Sequence, residues 1–184
     1  MKVLDAGDHP LSNADVLDWV KRKRAQHKTE DADDARKGIK LTPRPKNFLT
    51  VLTRIERELD SKNYPYTKNR SVYLGDGRKE KFNEFVTETE NAIQDNLEAE
   101  WRERLAGMSR EQVEKEFAPE QEKRCLTEAE ILMLYNFAPT CVEMLQPMIE
   151  SVEERFSAEE QQLLVDVIVR VLRPEEPQFA VEET

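Results

Sequence analysis

Leu126-Thr127-Glu128-Ala129-Glu130-Ile131-Leu132-Met133-Leu134-Tyr135-Asn136-Phe137-Ala138-Pro139 is the stretch that decides the fold class. A threonine followed three residues later by glutamate is a reciprocal helix start. The hydroxyl takes one unpaired backbone N–H, and the carboxylate takes another. Ile131, Leu134 and Tyr135 then recur at helical spacing, and Pro139 marks the stop. The same device returns twice downstream, at Thr140/Glu143 and Ser157/Glu160. Behind the second come Val142, Leu145, Ile149 and Val152, and behind the third Leu164, Val167, Ile168 and Val171. Each set lies on one helix face, so three helices are expected to close a small core. Pro147 should kink or divide the middle one, because proline removes a helical hydrogen bond. Arg173-Pro174 should end the last, since a residue before proline disfavours helical dihedrals.

Outward from this bundle the chain is more polar. Phe82, Val86, Ile93, Leu97 and Trp101 predict a long helix from about Lys79 to Leu105, with highly charged outer faces. Residues 60–79 contain Pro65, Gly75 and Gly77 and read as loop. Phe48, Leu49, Leu52, Ile55 and Leu59 follow helical spacing, and Ser109-Arg110-Glu111-Gln112 offers another cap before Val113 and Phe117. Near the start, Ser12 reads as an N-cap, with Leu11 and Val16 as a hydrophobic staple and Val16, Leu17 and Val20 as an apolar stripe. Lys21-Arg22-Lys23-Arg24 suits a helix end and equally a nuclear localisation signal or phosphate patch. The organisation expected is therefore 1–26 for docking, 27–46 as a charged linker and 47–108 as a helix plus an insertion. A helical bundle at 109–173 and an acidic tail at 174–184 complete it.

Charge is distributed unevenly. The net charge is −10 over 184 residues, yet residues 1–46 carry 11 Lys and Arg against 8 Asp and Glu, while residues 125–184 carry 3 against 13. An acidic bundle repels phosphates, which disfavours nucleic-acid binding by that end. Lys21 to Lys46 is the exception, with ten basic against four acidic residues, but it has no aromatic platform for a base. No apolar run is long enough to cross a bilayer, and nothing supports lipid contact. The two cysteines, Cys125 and Cys141, and the two histidines, His9 and His27, have no metal-ligand spacing. A nucleophile needs a positioned base, and none is evident. Gly75-Asp76-Gly77 is too short to cradle a phosphate. The expectation is a non-enzymatic protein without cofactor or metal.

Two ordered blocks resemble a known family. The first runs from Met1-Lys2-Val3-Leu4-Asp5-Ala6 through Leu11-Ser12-Asn13-Ala14-Asp15-Val16. The second runs from Leu126 to Pro139, then through Glu150-Ser151-Val152-Glu153-Glu154-Arg155-Phe156 to Val171-Leu172-Arg173-Pro174. Their order and spacing are similar to the small stalk subunit of eukaryotic RNA polymerase III, also called the calcitonin-gene-related-peptide receptor component. The resemblance implies an all-α fold whose C-terminal bundle is like the helicase-and-RNase-D C-terminal (HRDC) module. It also implies an N-terminal strand and helix that dock on a larger stalk subunit with an oligonucleotide-binding fold. Val3, Leu4, Leu11, Val16, Leu17 and Val20 would be the partner-binding residues. Thr127, Glu130, Thr140, Glu143, Ser157 and Glu160 would cap the bundle helices. The further partners implied are the polymerase core and transcription initiation factors, in the nucleus. Two other readings stay open, an HRDC-type nucleic-acid-binding module and a receptor-linked adaptor.

Overall fold

The computed structural model describes residues 10–41 and 43–176, which divide into two compact units at Thr67/Lys68. Among the described residues all regular structure is helical. The strand expected at Val3 to Ala6 lies outside the described residues.

The first unit is built on a helical hairpin, α1 (Asn13–Arg36) and α2 (Lys46–Leu59). Cross-links at Lys21–Asp60, Arg24–Glu56 and His27–Phe48 pair ascending with descending numbers, so the two helices are antiparallel. The basic run Lys21 to Arg24 does not end α1. Residues 25–36 contain neither glycine nor proline, and pairing with α2 carries the helix on. The first ten residues of the expected linker, 27–36, are thus helical. The stop comes at Gly38, whose φ of 68° places it in the left-handed region. Gly38 N–H donates to Ala35 O and Ile39 N–H to Asp34 O, the paired bonds that satisfy a helix's last carbonyls. Arg44 then holds the connection to α1 by bonds to Asp31 (2.5 Å), Glu30 (2.9 Å) and the His27 carbonyl (3.2 Å). These contacts hold the side-chain carboxyl of Glu30 below its usual range, the Arg44 hydrogen bond being the main cause. The short α3 (Pro65–Lys68) ends this region, so part of the stretch read as loop is helical.

The second unit begins with α4 (Arg70–Tyr73) and the long α5 (Arg78–Leu105). The buried positions of α5 are Phe85, Thr89, Ile93, Leu97 and Trp101, a strict spacing of four. Phe82 and Val86, expected inside, are only partly buried. α6 (Arg110–Gln112) has the anticipated Ser109/Gln112 cap and runs into a π turn, Val113–Phe117. Pro119 supplies a reason for that turn: it cannot donate to the carbonyl four residues back, and its ring crowds it. Next come α7 (Ala118–Arg124), α8 (Glu128–Phe137), a 3-10 turn at Val142–Met144, α9 (Val152–Arg155) and α10 (Ala158–Leu172).

The middle helix expected after Thr140 is therefore divided, as Pro147 requires, into a 3-10 turn, irregular turns and the four-residue α9. Its core residues survive the division: Leu145 and Ile149 are buried with Leu134, Leu164, Val167 and Ile168, whereas Val142 is half-buried. The main partner of α10 is α5, so the long helix of the supposed insertion belongs to the same unit as the C-terminal helices. An ion pair between Arg170 and Glu88 (2.6 Å) crosses that contact. Aromatic packing adds a second layer. Tyr135 meets the rings of Tyr73 at 4.7 Å and Phe82 at 4.9 Å, and the Tyr73 hydroxyl donates to the Tyr135 carbonyl at 3.0 Å. A satellite cluster of Leu97, Trp101 and Phe117 closes the far end of α5.

Leu164 has no exposed surface. Replacing it with alanine should lower the unfolding free energy by about 2–5 kcal/mol through lost burial and a residual cavity. Urea denaturation followed by circular dichroism measures this, and an unchanged midpoint would remove Leu164 from the core.

Candidate partner interface and the capped bundle

Two of the three proposed caps form. Thr127 and Glu130 exchange both bonds: Thr127 N–H donates to Glu130 Oε2 at 2.8 Å and Glu130 N–H to Thr127 Oγ1 at 3.3 Å. Ser157 and Glu160 do the same at 2.8 and 3.2 Å. Thr140 and Glu143 do not. The residue entering the 3-10 turn is Cys141, without a side-chain cap, and Thr140 Oγ1 instead lies 3.9 Å from Met144 Sδ. A single 3-10 turn, shortened by Pro147, lacks the successive free N–H groups that a capping box serves. Glu143 binds its own backbone N–H and the Cys141 thiol, which hold its carboxyl below the usual range.

The caps do more than start helices. Glu130 is buried, accepts the Glu150 N–H at 3.0 Å and is ion-paired with Arg155. Arg155 in turn donates to the carbonyls of Lys123 (3.0 Å), Cys125 (2.7 Å) and Glu150 (3.0 Å). Glu160, also buried, pairs with Arg124 at 2.8 Å, and Arg124 reaches Glu100 of α5 at 2.9 Å. Arg173 closes the other end, donating to Ala138 O at 2.6 Å and Phe137 O at 3.2 Å, the loose carbonyls of α8. Arg155, Arg124 and Arg173 were not singled out from sequence as structural centres. They lie far from their partners along the chain, and only the pairing of each with a capping glutamate or a helix end gives them that part.

The first residues of the acidic tail are held too. Asn69, wholly buried, donates to Glu176 at 2.8 Å and accepts the Glu175 N–H at 3.1 Å, while Ser71 donates from its N–H (2.8 Å) and hydroxyl (2.5 Å) to Glu175. The Ser71 bonds hold the Glu175 carboxyl below its usual range. For Glu176, burial pushes upward, but Asn69, Arg173 and Lys68 outweigh it.

The docking residues separate into two groups. Val3 and Leu4 lie outside the described residues. Leu11 is 65% exposed and Trp19 is 47% exposed. Leu17 and Val20 are buried within the chain itself and Val16 is half-buried, so the stripe read as a docking surface is largely covered already. Ser12 caps α1 as expected, with Asp15 returning the bond.

Chemically the second unit offers a mostly apolar cavity of about 310 Å³, walled by Phe85, Ile93, Leu97, Leu126 and Ile131, with Gln121 bonded to Gln94 (2.6 Å) beside it. It contains no histidine. Among the described residues no group of three or more His, Cys, Asp or Glu is placed to hold a metal ion, and no helix is long and apolar enough to cross a membrane.

Burial alone would raise the Glu130 carboxyl, yet Arg155 and the Thr127 and Glu150 N–H groups hold it at about 2, from an ordinary 4.5. The folded value is the lower one, so this contribution to stability is complete above pH 4.5 and is lost as the pH falls towards about 2. Glu130→Gln should therefore show a shallower loss of stability over that interval than the parent in pH-stepped thermal melts; parallel curves would remove Glu130 as a source. Arg155→Ala should cost about 3–5 kcal/mol by stranding the buried carboxylate, against about 1 kcal/mol for Thr127→Ala, both measurable by denaturant titration.

None of the curated proteins matches the chain significantly. A family model does match, described as RNA polymerase Rpb4, and it spans residues 10–172, from the residues before α1 to the end of α10. This range covers both units, including the long α5. The chain belongs to the RNA polymerase Rpb4 family, accessory and generally non-catalytic subunits of the polymerase stalk.

Proposed function

We propose that this stalk subunit serves RNA polymerase III in the nucleus. It would pair with the larger stalk subunit, which carries an oligonucleotide-binding fold, and support initiation on genes for small untranslated RNAs. The observation carrying this reading is the ordered pair of sequence blocks, Leu11-Ser12-Asn13 and Leu126 to Pro139, all of whose residues fall inside the family match. The bundle is read as HRDC-like on the same ground. Its part is to hold the larger subunit in place and offer a surface to initiation factors, while the chemistry belongs to the polymerase core. The net charge of −10 over residues 125–184 supports a protein-binding rather than a phosphate-binding bundle.

The docking element proposed is Val3 to Ala6, added as an edge strand to the partner's sheet, with exposed Leu11 and Trp19 extending the contact. Deletion of Met1 to Ala6 should weaken the heterodimer without lowering the melting temperature of the second unit. Co-purification with the larger subunit, set beside a thermal melt, reads both, and undiminished pairing would refute the strand. In a second measurement labelled single-stranded RNA is titrated with the subunit, with its partner, and with the two together. The subunit alone should bind negligibly. Tight binding by it alone that survives ~0.2 M salt would replace the scaffold reading with a nucleic-acid module.

A further inference from the structure

Of the eight large apolar side chains that stand exposed among the described residues, five fall between positions 39 and 51 of the first unit: Ile39, Leu41, Phe48, Leu49 and Val51. Clustering of this kind marks an interaction surface, whereas scattered exposed apolar residues need no explanation. Cations crowd the same stretch. Residues 37–59 hold six Lys and Arg against two acids: Glu56, which is taken up by Arg24, and Glu58, which is exposed four residues after Arg54. Arg44 is occupied by Glu30 and Asp31. Lys46, Arg54 and Arg57 remain exposed, and none has an ion-pair partner among the described residues.

Helical geometry sets which of these groups share the outer face of α2. At about 100° per residue, the side of α2 carrying buried Leu52 and half-buried Ile55, Glu56 and Leu59 turns inward. Lys46, Thr50, Thr53, Arg54 and Arg57 then occupy the outward side, with Leu49 on one flank and Val51 on the other. A shallow depression of about 430 Å³ is lined by Leu49, Thr50, Thr53, Arg54 and Arg57, with no acidic side chain. The two threonine hydroxyls already donate to the carbonyls of Lys46 and Leu49, each at 3.0 Å. The face therefore presents guanidinium donors and aliphatic carbon.

We propose that the outer face of α2 docks an acidic amphipathic segment of a partner protein. Its carboxylates lie on Arg54 and Arg57, where guanidinium and carboxylate can pair in bidentate fashion. Its apolar side chains cover Leu49 and Val51. Charge complementarity selects this occupant in a chain that is otherwise acidic. Single-stranded nucleic acid is a poorer fit, because bases need aromatic platforms and the one aromatic ring in the cluster, Phe48, packs against His27 at 6.1 Å. A membrane surface is also a poorer fit. A helix lying on lipid inserts its apolar stripe, and Leu52, at the centre of that stripe in α2, is buried. The inference stands whichever polymerase the chain serves.

The test uses the full chain and a fluorescein-labelled peptide in which Glu and Asp alternate with Leu and Phe, read by fluorescence anisotropy. Controls are the same peptide with Ser in place of Leu and Phe, a single-stranded RNA of equal charge, and phosphatidylserine vesicles. Saturable binding of the first peptide is expected. It should weaken at least about tenfold in Arg54→Glu/Arg57→Glu and several-fold in Leu49→Ser, with helicity unchanged by circular dichroism. If the charge-reversed protein misfolds, Arg54→Gln/Arg57→Gln provides the same comparison. The proposal is overturned by absence of saturable binding, by binding indifferent to these substitutions, or by equal binding of the serine peptide. Tighter binding of RNA or vesicles with the same dependence on Arg54 and Arg57 overturns it as well, assigning the face to nucleic acid or to lipid.

Discussion

The second unit depends on one buried ion pair, Glu130 with Arg155. Removing a carboxylate and a guanidinium from water is costly, and mutual attraction compensates only when further hydrogen bonds satisfy the remaining donors and acceptors. Here they do. Glu130 accepts from Thr127, Glu150 and Arg155, and Arg155 reaches three carbonyls besides. The pair ties the start of α8 to the segment before α9 and to the end of α7. That matters because the chain between α8 and α10 has little regular structure to hold itself, Pro147 having divided it. Carbonyls that a continuous helix would have paired internally are paired by an arginine instead.

The same solution recurs. Arg124 joins the cap of α10 to α5, and Arg173 joins the end of α10 to the end of α8. In each case an arginine links a helix terminus to a distant element, where helices leave polar groups unpaired. Between these polar ties α5 packs against α10, with Tyr135 adding an aromatic layer against Tyr73 and Phe82. Buried ties that are fully satisfied fix orientation in a way that apolar packing alone leaves less specified.

The two units present different surfaces. The C-terminal part of the chain is strongly acidic, while the hairpin carries exposed aliphatic side chains and the exposed cations Lys46, Arg54 and Arg57 on α2. Membership of the Rpb4 family fits such a division, because a subunit without chemistry of its own acts through the surfaces it offers. The α1–α2 hairpin is itself held by ion pairs that are largely at the surface, Lys21–Asp60 among them, and such pairs contribute little stability individually. Within the hairpin Val20 of α1 and Leu52 of α2 are buried, and burial of apolar surface is the larger stabilising contribution.

The sequence by itself determined the longer helices and the capped starts among them. Helical periodicity and capping boxes are local, so Thr127/Glu130, Ser157/Glu160, Ser109/Gln112 and Ser12 could be read within a few residues of chain, as could the disruption at Pro147. The Gly38 stop is equally local, but the polar composition of residues 27–46 reads as a linker, and a helix held by tertiary ion pairs has the same composition. Tertiary structure alone decided the rest. It set the inward register of α5 at Phe85 and Thr89, since several faces of that helix carry apolar residues and only contact with α10 selects one. It turned Leu17 and Val20 inward, away from the docking face the stripe suggested. It also made Arg124, Arg155 and Arg173 the centres of the bundle, because an arginine's partners tens of residues away are set by where the folded chain brings unpaired carbonyls and buried carboxylates, and no local pattern encodes that.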